Sequence, residues 1–329
     1  MRFQKLSAAL AVAAGLSASA ASATELKLAD FQPPSHFIVE GTYTPFAETI
    51  AAETDGAVTV RVFMGGELGA GPAEQYNRAV DGVTDIAFGL PGYTASNFPK
   101  TLLTELPGVI DAATGTERVL DNIDKLSGEY RRVALLGLWN NAPNLLFTAE
   151  KPIRSLEDLA GLKIRVPSRN AGLVVEAWGA TPVSMPAPEI YNSMQTGVID
   201  GAMIDATTLG SFKLAEVTKY ITTGMDSTIS SFFLIMNRDS FSGLSDDQQA
   251  VVLKAGREAA LSANAAWLGI AAKALDAFGT TEGKEVITLS DEEAAKFNAA
   301  SAPVVEKVIA DADAAGLEAS AYVEALKAE

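Results

Sequence analysis

One arginine stands on a stretch that is otherwise built for burial. In Gly161-Leu162-Lys163-Ile164-Arg165-Val166-Pro167 the apolar residues recur at every second position. That is the spacing of a strand with one buried face, and it turns Lys163 and Arg165 to the other. A guanidinium fixed at a strand end offers a planar fork that matches a carboxylate through two parallel hydrogen bonds. A solvent-facing arginine on an exposed strand has the same sequence signature, so an anion anchor and a surface charge both stand at this point. His36, the only histidine, sits in the loop Gln32-Pro33-Pro34-Ser35-His36 and can bond a ligand or cap its own loop. Glu67, in the glycine-rich Gly65 to Gly71, can accept from a ligand hydroxyl or ammonium, or brace the turn. Asn141, Ser168, Asn170 and Asp205 are further polar candidates. Phe37, Phe88, Tyr93, Trp139, Phe147 and Phe232 or Phe233 fall near loop or strand ends and can wall a pocket; core burial is the competing reading for each.

Catalytic chemistry is poorly supplied. One histidine and no cysteine leave carboxylates as the only other metal ligands, without a calcium-loop spacing. A Ser/His/Asp triad would have to use His36, and no nucleophile-elbow sequence accompanies it. Gly65 to Gly71 has the wrong spacing for a dinucleotide or phosphate loop. Asp246-Asp247 and Glu292-Glu293 read as helix-start charges. The residues point to binding rather than catalysis, with no metal or cofactor expected.

The elements that would position these residues follow from the chain in order. Residues 1–23 read as a cleaved secretory signal: Arg2 and Lys5, a short apolar run from Leu6 to Leu16, then Ala21-Ser22-Ala23. The segment holds two of the 25 basic residues and none of the 41 acidic ones, so the exported chain carries 23 minus 41, or −18. That charge argues against nucleic-acid and anionic-membrane partners. Without cysteines, stability must come from the core. A chain this long suggests two lobes.

Two segments echo one another. Tyr76-Asn77-Arg78-Ala79-Val80-Asp81-Gly82-Val83-Thr84-Asp85-Ile86-Ala87 aligns without gaps on Tyr191-Asn192-Ser193-Met194-Gln195-Thr196-Gly197-Val198-Ile199-Asp200-Gly201-Ala202. In each a helix ends at glycine and a strand begins, downstream of an arginine-bearing strand, Val60-Arg61-Val62 in one and Ile164-Arg165-Val166 in the other. Two similarly built α/β lobes are therefore expected, with 24–145 and 236–262 in the first and 146–235 and 263–329 in the second. Leu145 to Ala149 and Ser230 to Asn237 are expected to cross between them. From the capped start at Ser245 to Phe278 no proline intervenes, which predicts one helix of about 33 residues, near 50 Å long, bracing both lobes. The sum is a hinged clamp.

With these pieces in this order the chain resembles the substrate-binding subunit of tripartite ATP-independent periplasmic (TRAP) transporters, the DctP family. The resemblance covers nearly the whole exported chain. It rests on Glu67-Leu68-Gly69, Asp81-Gly82-Val83-Thr84-Asp85, Leu106-Pro107, Asp158 to Pro167, Gly179-Ala180-Thr181-Pro182-Val183, Glu189-Ile190-Tyr191 and Gln195 to Gly201. It implies a two-lobed clamp of the type II-like periplasmic binding protein class, with crossing hinge strands and a long helix spanning both lobes. It implies that Arg165 holds a ligand carboxylate, and that the partners are a small organic acid and the small and large integral membrane subunits of an ion-driven permease. The family's sialic-acid binders carry a second arginine in the stretch corresponding to Asn141 to Phe147, a polar residue at Ile204 and an aromatic at Ala187. None of these is present, so the resemblance implies a less polar pocket. A binding protein for an ABC importer or chemoreceptor, and an exported α/β enzyme, are the competing readings.

Overall fold

The computed structural model describes residues 23–328, so all but the last residue of the expected signal lies outside the described residues. The described strands are β1 (Thr24–Ala29), β2 (Val58–Phe63), β3 (Ile86–Gly89), β4 (Val133–Asn140), β5 (Leu145–Thr148), β6 (Lys163–Val166), β7 (Thr181–Ser184), β8 (Gly201–Ile204), β9 (Tyr220–Thr223), β10 (Ser231–Asn237) and β11 (Glu285–Thr288). They form two sheets, ordered β2-β1-β3-β10-β4 and β11-β9-β5-β8-β6-β7. Each sheet is the heart of one lobe.

The echo in the sequence is the centre of each sheet. β1 lies between β2 and β3 with all three parallel, and β6 lies between β7 and β8 in the same way. The next strand is antiparallel in both, β10 beside β3 and β5 beside β8. Parallel strands are buried on both faces, which explains why β3 and β8 are buried along their whole length. One expected correspondence fails. Arg61 lies on the edge strand β2, paired with Lys27, and its guanidinium rests 4.8 Å over the Phe63 ring. Arg165 lies on the inner strand β6, so the two arginines are not equivalents.

The lobe boundaries also need correction. β10 belongs wholly to the first sheet from Ser231 onward, so the expected switch after residue 235 falls inside a strand. The last helix, Ala319–Lys327, buries Tyr322 and Leu326 with Phe98, Leu103 and Val133 of the first lobe. The helix before it, Asp291–Ala314, packs Phe297 on the second lobe and Val308 and Ile309 on the first. An apolar run or stripe declares that it will be buried, and not which of two similar cores will bury it. The runs expected to cross do not cross as strands; β5 and β10 each stay in one sheet. The chain passes between lobes in residues 141–144 and 224–230, which are tied together: Asn141 N–H donates to Ser230 O at 3.0 Å and Asn144 N–H to Thr228 O at 2.9 Å.

The long helix runs from Asp246 to Gly279, 34 residues, opened by a Ser245/Gln248 capping box. Ala260 and Trp267 enter the first core, Ala271 and Phe278 the second. Gly256 lets its backbone touch β4, since a Cβ there would stand 2.4 Å from Leu136 O.

Candidate ligand-binding site

The arginine is delivered by ordinary local signals. A capping box between Ser155 and Asp158 opens the turn Leu156–Leu159, Gly161 takes the left-handed conformation at φ 80°, and β6 follows. Arg165 stands opposite Val183 on β7 and Ala202 on β8. Its side chain is only 1% exposed, because the strand's second face is covered by the other lobe instead of solvent. The guanidinium donates from Nε to Met185 O (2.9 Å), from Nη1 to Met203 O (3.3 Å) and from Nη2 to the Tyr93 hydroxyl (3.4 Å). All three acceptors are neutral. No carboxylate of the described residues lies within ion-pair distance of Arg165. Burial pulls the guanidinium below its ordinary value, with Tyr93, Asp205 and Glu105 pulling the other way.

Arg165 faces a cavity between the lobes. About 420 Å³ there, open solvent at the mouth included, is free of protein atoms. Of the expected site residues, His36, Tyr93, Asn141, Arg165, Asp205 and Phe232 line it. The first lobe also supplies Phe31 and Gln32, the long helix supplies Trp267, and the second lobe supplies Phe212, Ala187 and Ile204. The rings pack on one another: His36 lies 5.5 Å from Trp267 and 6.4 Å from Phe212, and Trp267 lies 4.9 Å from Phe232. Phe31 lies 6.2 Å from Tyr93. Arg165 is the sole cation among the described residues on the wall.

The polar residues divide by whether their bonds are already spent. Asp205 accepts from Thr207 N (2.9 Å), Thr207 Oγ1 (2.5 Å) and Asn141 Nδ2 (2.9 Å), while burial pushes its carboxyl up. Asn141 also donates to Asn144 Oδ1 and accepts from Ser230 N at 2.7 Å. Both lock the hinge. His36 Nδ1 accepts from Ile38 N at 3.2 Å, and burial lowers its pKa to about 3, so the ring is neutral.

Five expected residues lie elsewhere. Glu67 is exposed on its glycine-rich turn, away from the cavity. Trp139 is buried under Phe88 and Phe232, and Phe37 stacks on His36 and meets Trp267 edge-on from behind. Ser168 caps the helix Arg169–Ala177, and Asn170 Nδ2 donates to Leu102 O of the first lobe at 3.0 Å. Those two close the seam beside the cavity. At the neighbouring turn, Ala187 N–H donates to the Tyr93 hydroxyl across the seam at 2.9 Å. Phe88 and Phe233 belong to the first lobe's cores and Phe147 to the second's. Sequence reasoning passed over Phe31, Gln32, Phe212 and Trp267. Gln32 had one signal, its place beside the Pro33-Pro34 stop; Trp267 had none, being one apolar position on a long helix.

Residues 28–311 match the model of the bacterial extracellular solute-binding protein family 7, DctP. The chain belongs to this family. The C4-dicarboxylate-binding periplasmic protein DctP of Rhodobacter capsulatus is 28% identical over 294 residues, covering 86% of this chain and 85% of that one. Among solved structures, a marine metagenome TRAP solute-binding protein specific for aromatic acid ligands, in complex with 3-hydroxybenzoate, superposes with a TM-score of 0.85 at 31% identity. The match covers 93% of this chain and 97% of that one. A TRAP periplasmic solute-binding protein from Bordetella bronchiseptica with bound (R)- and (S)-mandelate gives a TM-score of 0.85 at 30% identity, covering 93% and 98%. The two-lobed clamp of TRAP solute-binding proteins is thus the fold of this chain. Within the DctP frame Ala187 and Ile204, set apart by sequence as departures toward lower polarity, both line the cavity.

Proposed function

We propose that this chain is the periplasmic solute-binding component of a TRAP transporter, without catalytic activity, and that it captures a small aromatic monocarboxylate. The observation that carries the reading is Arg165: a cation 1% exposed, facing a cavity, with only neutral acceptors around it. A buried charge left unpaired is costly, and a ligand carboxylate in the guanidinium fork supplies the missing partner. One cation on the wall accounts for one carboxylate. The rings of Phe31, Tyr93, Phe212, Phe232 and Trp267 suit a flat apolar body, and the aromatic acids carried by two similar structures support that choice.

The mechanism is a shift between open and shut clamps. Arg165 belongs to the second lobe, and Phe31 and Phe232 to the first, so a ligand touching all three favours the shut form by its differential affinity. Small and large permease subunits driven by an ion gradient, the family's partners, then take the acid from the shut clamp. No described helix is long and apolar enough to cross a membrane, which suits delivery by a separate permease.

A thermal-shift screen of the chain from Thr24 against benzoates, phenylacetates, mandelate, C4-dicarboxylates, uronates and ectoine tests the reading. At a hundredfold excess over Kd a true ligand adds about 2.7 kcal/mol. An aromatic acid should raise Tm, and Arg165→Ala should abolish the rise. A shift that persists in Arg165→Ala, or one confined to non-aromatic solutes, overturns it.

A further inference from the structure

The first lobe contributes a second polar feature to the cavity, at its junction with the hinge loop. Gln32 lines the cavity and is 4% exposed, and its Oε1 has no hydrogen-bond partner among the described residues. Its backbone is firmly held: Gln32 N–H donates to Asp30 Oδ1 at 2.8 Å, and Gln32 O accepts from Gly65 N at 2.8 Å. The orphaned acceptor is therefore not the mark of a loose loop. Four residues on, His36 lines the same cavity, and its Nδ1 is occupied by the Ile38 N–H. A neutral ring that accepts at Nδ1 carries its proton on Nε2, and no described residue accepts from that nitrogen. One loop thus brings an unused acceptor and an unused donor to one wall, while Arg165 stands on the other lobe.

We infer that Gln32 and His36 form a hydroxyl-reading subsite, so that the preferred ligands are aromatic acids bearing a ring or side-chain hydroxyl. A hydroxyl carries both functions these atoms call for: it can give its hydrogen to Gln32 Oε1 and accept from His36 Nε2–H. Neither protein group carries charge, since burial holds His36 neutral down to a pH of about 3. The buried unpaired acceptor also gives discrimination its magnitude: an acid that lacks the hydroxyl leaves Gln32 desolvated and unpaired, which disfavours the parent acid by about tenfold or more.

The inference rests on the carboxylate reading above, and the test separates the two. Calorimetric titration of the chain from Thr24 is run with benzoate and its three hydroxybenzoates, and with phenylacetate, its hydroxy derivatives and mandelate. At least one hydroxylated acid should bind about tenfold or more tighter than its parent. Gln32→Met, which keeps the length and removes the acceptor, should bring that ratio within threefold by weakening the hydroxylated acid alone. His36→Asn, which can still accept from Ile38 N, should reduce the ratio as well, so the result does not depend on one variant folding. If parent acids bind as tightly as every hydroxylated derivative, or Gln32→Met and His36→Asn both leave the ratio intact, the subsite is overturned while the Arg165 reading stands. If no aromatic acid binds, the reading beneath falls and takes the subsite with it.

Discussion

Arg165 and Ala29 occupy the same place in the two lobes. Arg165 stands opposite Ala202 on the neighbouring parallel strand, as Ala29 stands opposite Ala87, and Ala87 and Ala202 are the matching ends of the internal echo. The shared architecture therefore brings a side chain to the same sheet position in each lobe, and only the second lobe places a charge there. The asymmetry leaves one cation on the cavity wall among the described residues, on the second lobe, while the first lobe offers rings and neutral polar atoms.

Arg165→Ala should therefore cost about 2–5 kcal/mol of binding to a carboxylate, as expected when one partner of a buried charge pair is removed. Arg165→Lys should recover only part of it, because an ammonium cannot reproduce the planar fork. Isothermal titration of both variants checks this. Binding of a carboxylate to Arg165→Ala within threefold of the parent protein would remove the residue from the anchor role.

The arginine was legible in sequence because its surroundings obey local rules: a capping box, a left-handed glycine, a two-residue alternation and a proline stop. The long helix was legible for the same reason, through its cap and the lack of proline. The rest of the pocket depends on tertiary convergence. Trp267 and Gln32 are more than 200 positions apart and share a wall, which no spacing announces. Glu67 drew notice through its glycine-rich turn, yet that turn points outward and its glycines serve the backbone. Trp139 and Phe37 sit one layer behind the rings that line the cavity. Arg61 shows the limit of the echo, since an edge strand and an inner strand share the same alternating pattern.

Tyr93→Phe tests the seam. The hydroxyl accepts from Ala187 N–H and from Arg165, both on the opposite lobe, while the ring packs beside Phe31. Phenylalanine keeps the ring and leaves the Ala187 N–H unpaired in the shut clamp only. Affinity should fall by about 1–3 kcal/mol, with little change in the Tm of the ligand-free protein. Titration paired with small-angle scattering reads it; unchanged affinity and unchanged compaction on ligand addition would show that the hydroxyl does not contribute to closure.

Two glycines of the long helix should respond in opposite directions. A Cβ at Gly256 would meet Leu136 O at 2.4 Å, a backbone atom that cannot step aside, whereas nothing lies within 4 Å of a Cβ at Gly269. Gly256→Ala should destabilise by about 1–3 kcal/mol through overpacking. Gly269→Ala should stabilise by up to about 1 kcal/mol, the helix propensity difference on an exposed face. Chemical denaturation of the two variants measures both signs; equal effects would mean that the close approach to β4 is not what selects glycine at 256.

Glu105 should lower stability as pH rises from about 4.5 to about 7, while His36, whose pKa burial lowers from 6.5 to about 3, contributes the opposite sign up to about 6.5. The Glu105 carboxyl is 1% exposed at the lobe seam, where Gly92 packs against Ser168. Its Oε1 accepts weakly from Ser231 N at 3.5 Å, and burial raises its pKa from 4.5 to about 7 against the opposing pull of the Ser168 hydroxyl, Ser231 N–H and the Arg165 charge. Between those two values the Glu105 carboxyl holds more proton in the folded protein than in the unfolded chain, so its ionisation weakens the fold, by on the order of 3 kcal/mol across the window. Above about 7 the carboxyl is charged in both states and the slope vanishes. Asp30, which accepts from Tyr43 and is raised to about 7 by burial, contributes with the same sign. Glu105→Gln removes the first contribution and leaves the second, so its Tm should decline less steeply than the parent's between pH 5 and 7, with the two profiles parallel above it. Profiles that stay parallel throughout would mean that Glu105 is hydrated and ionised in the folded protein, and that the seam around it is wetter than its burial implies.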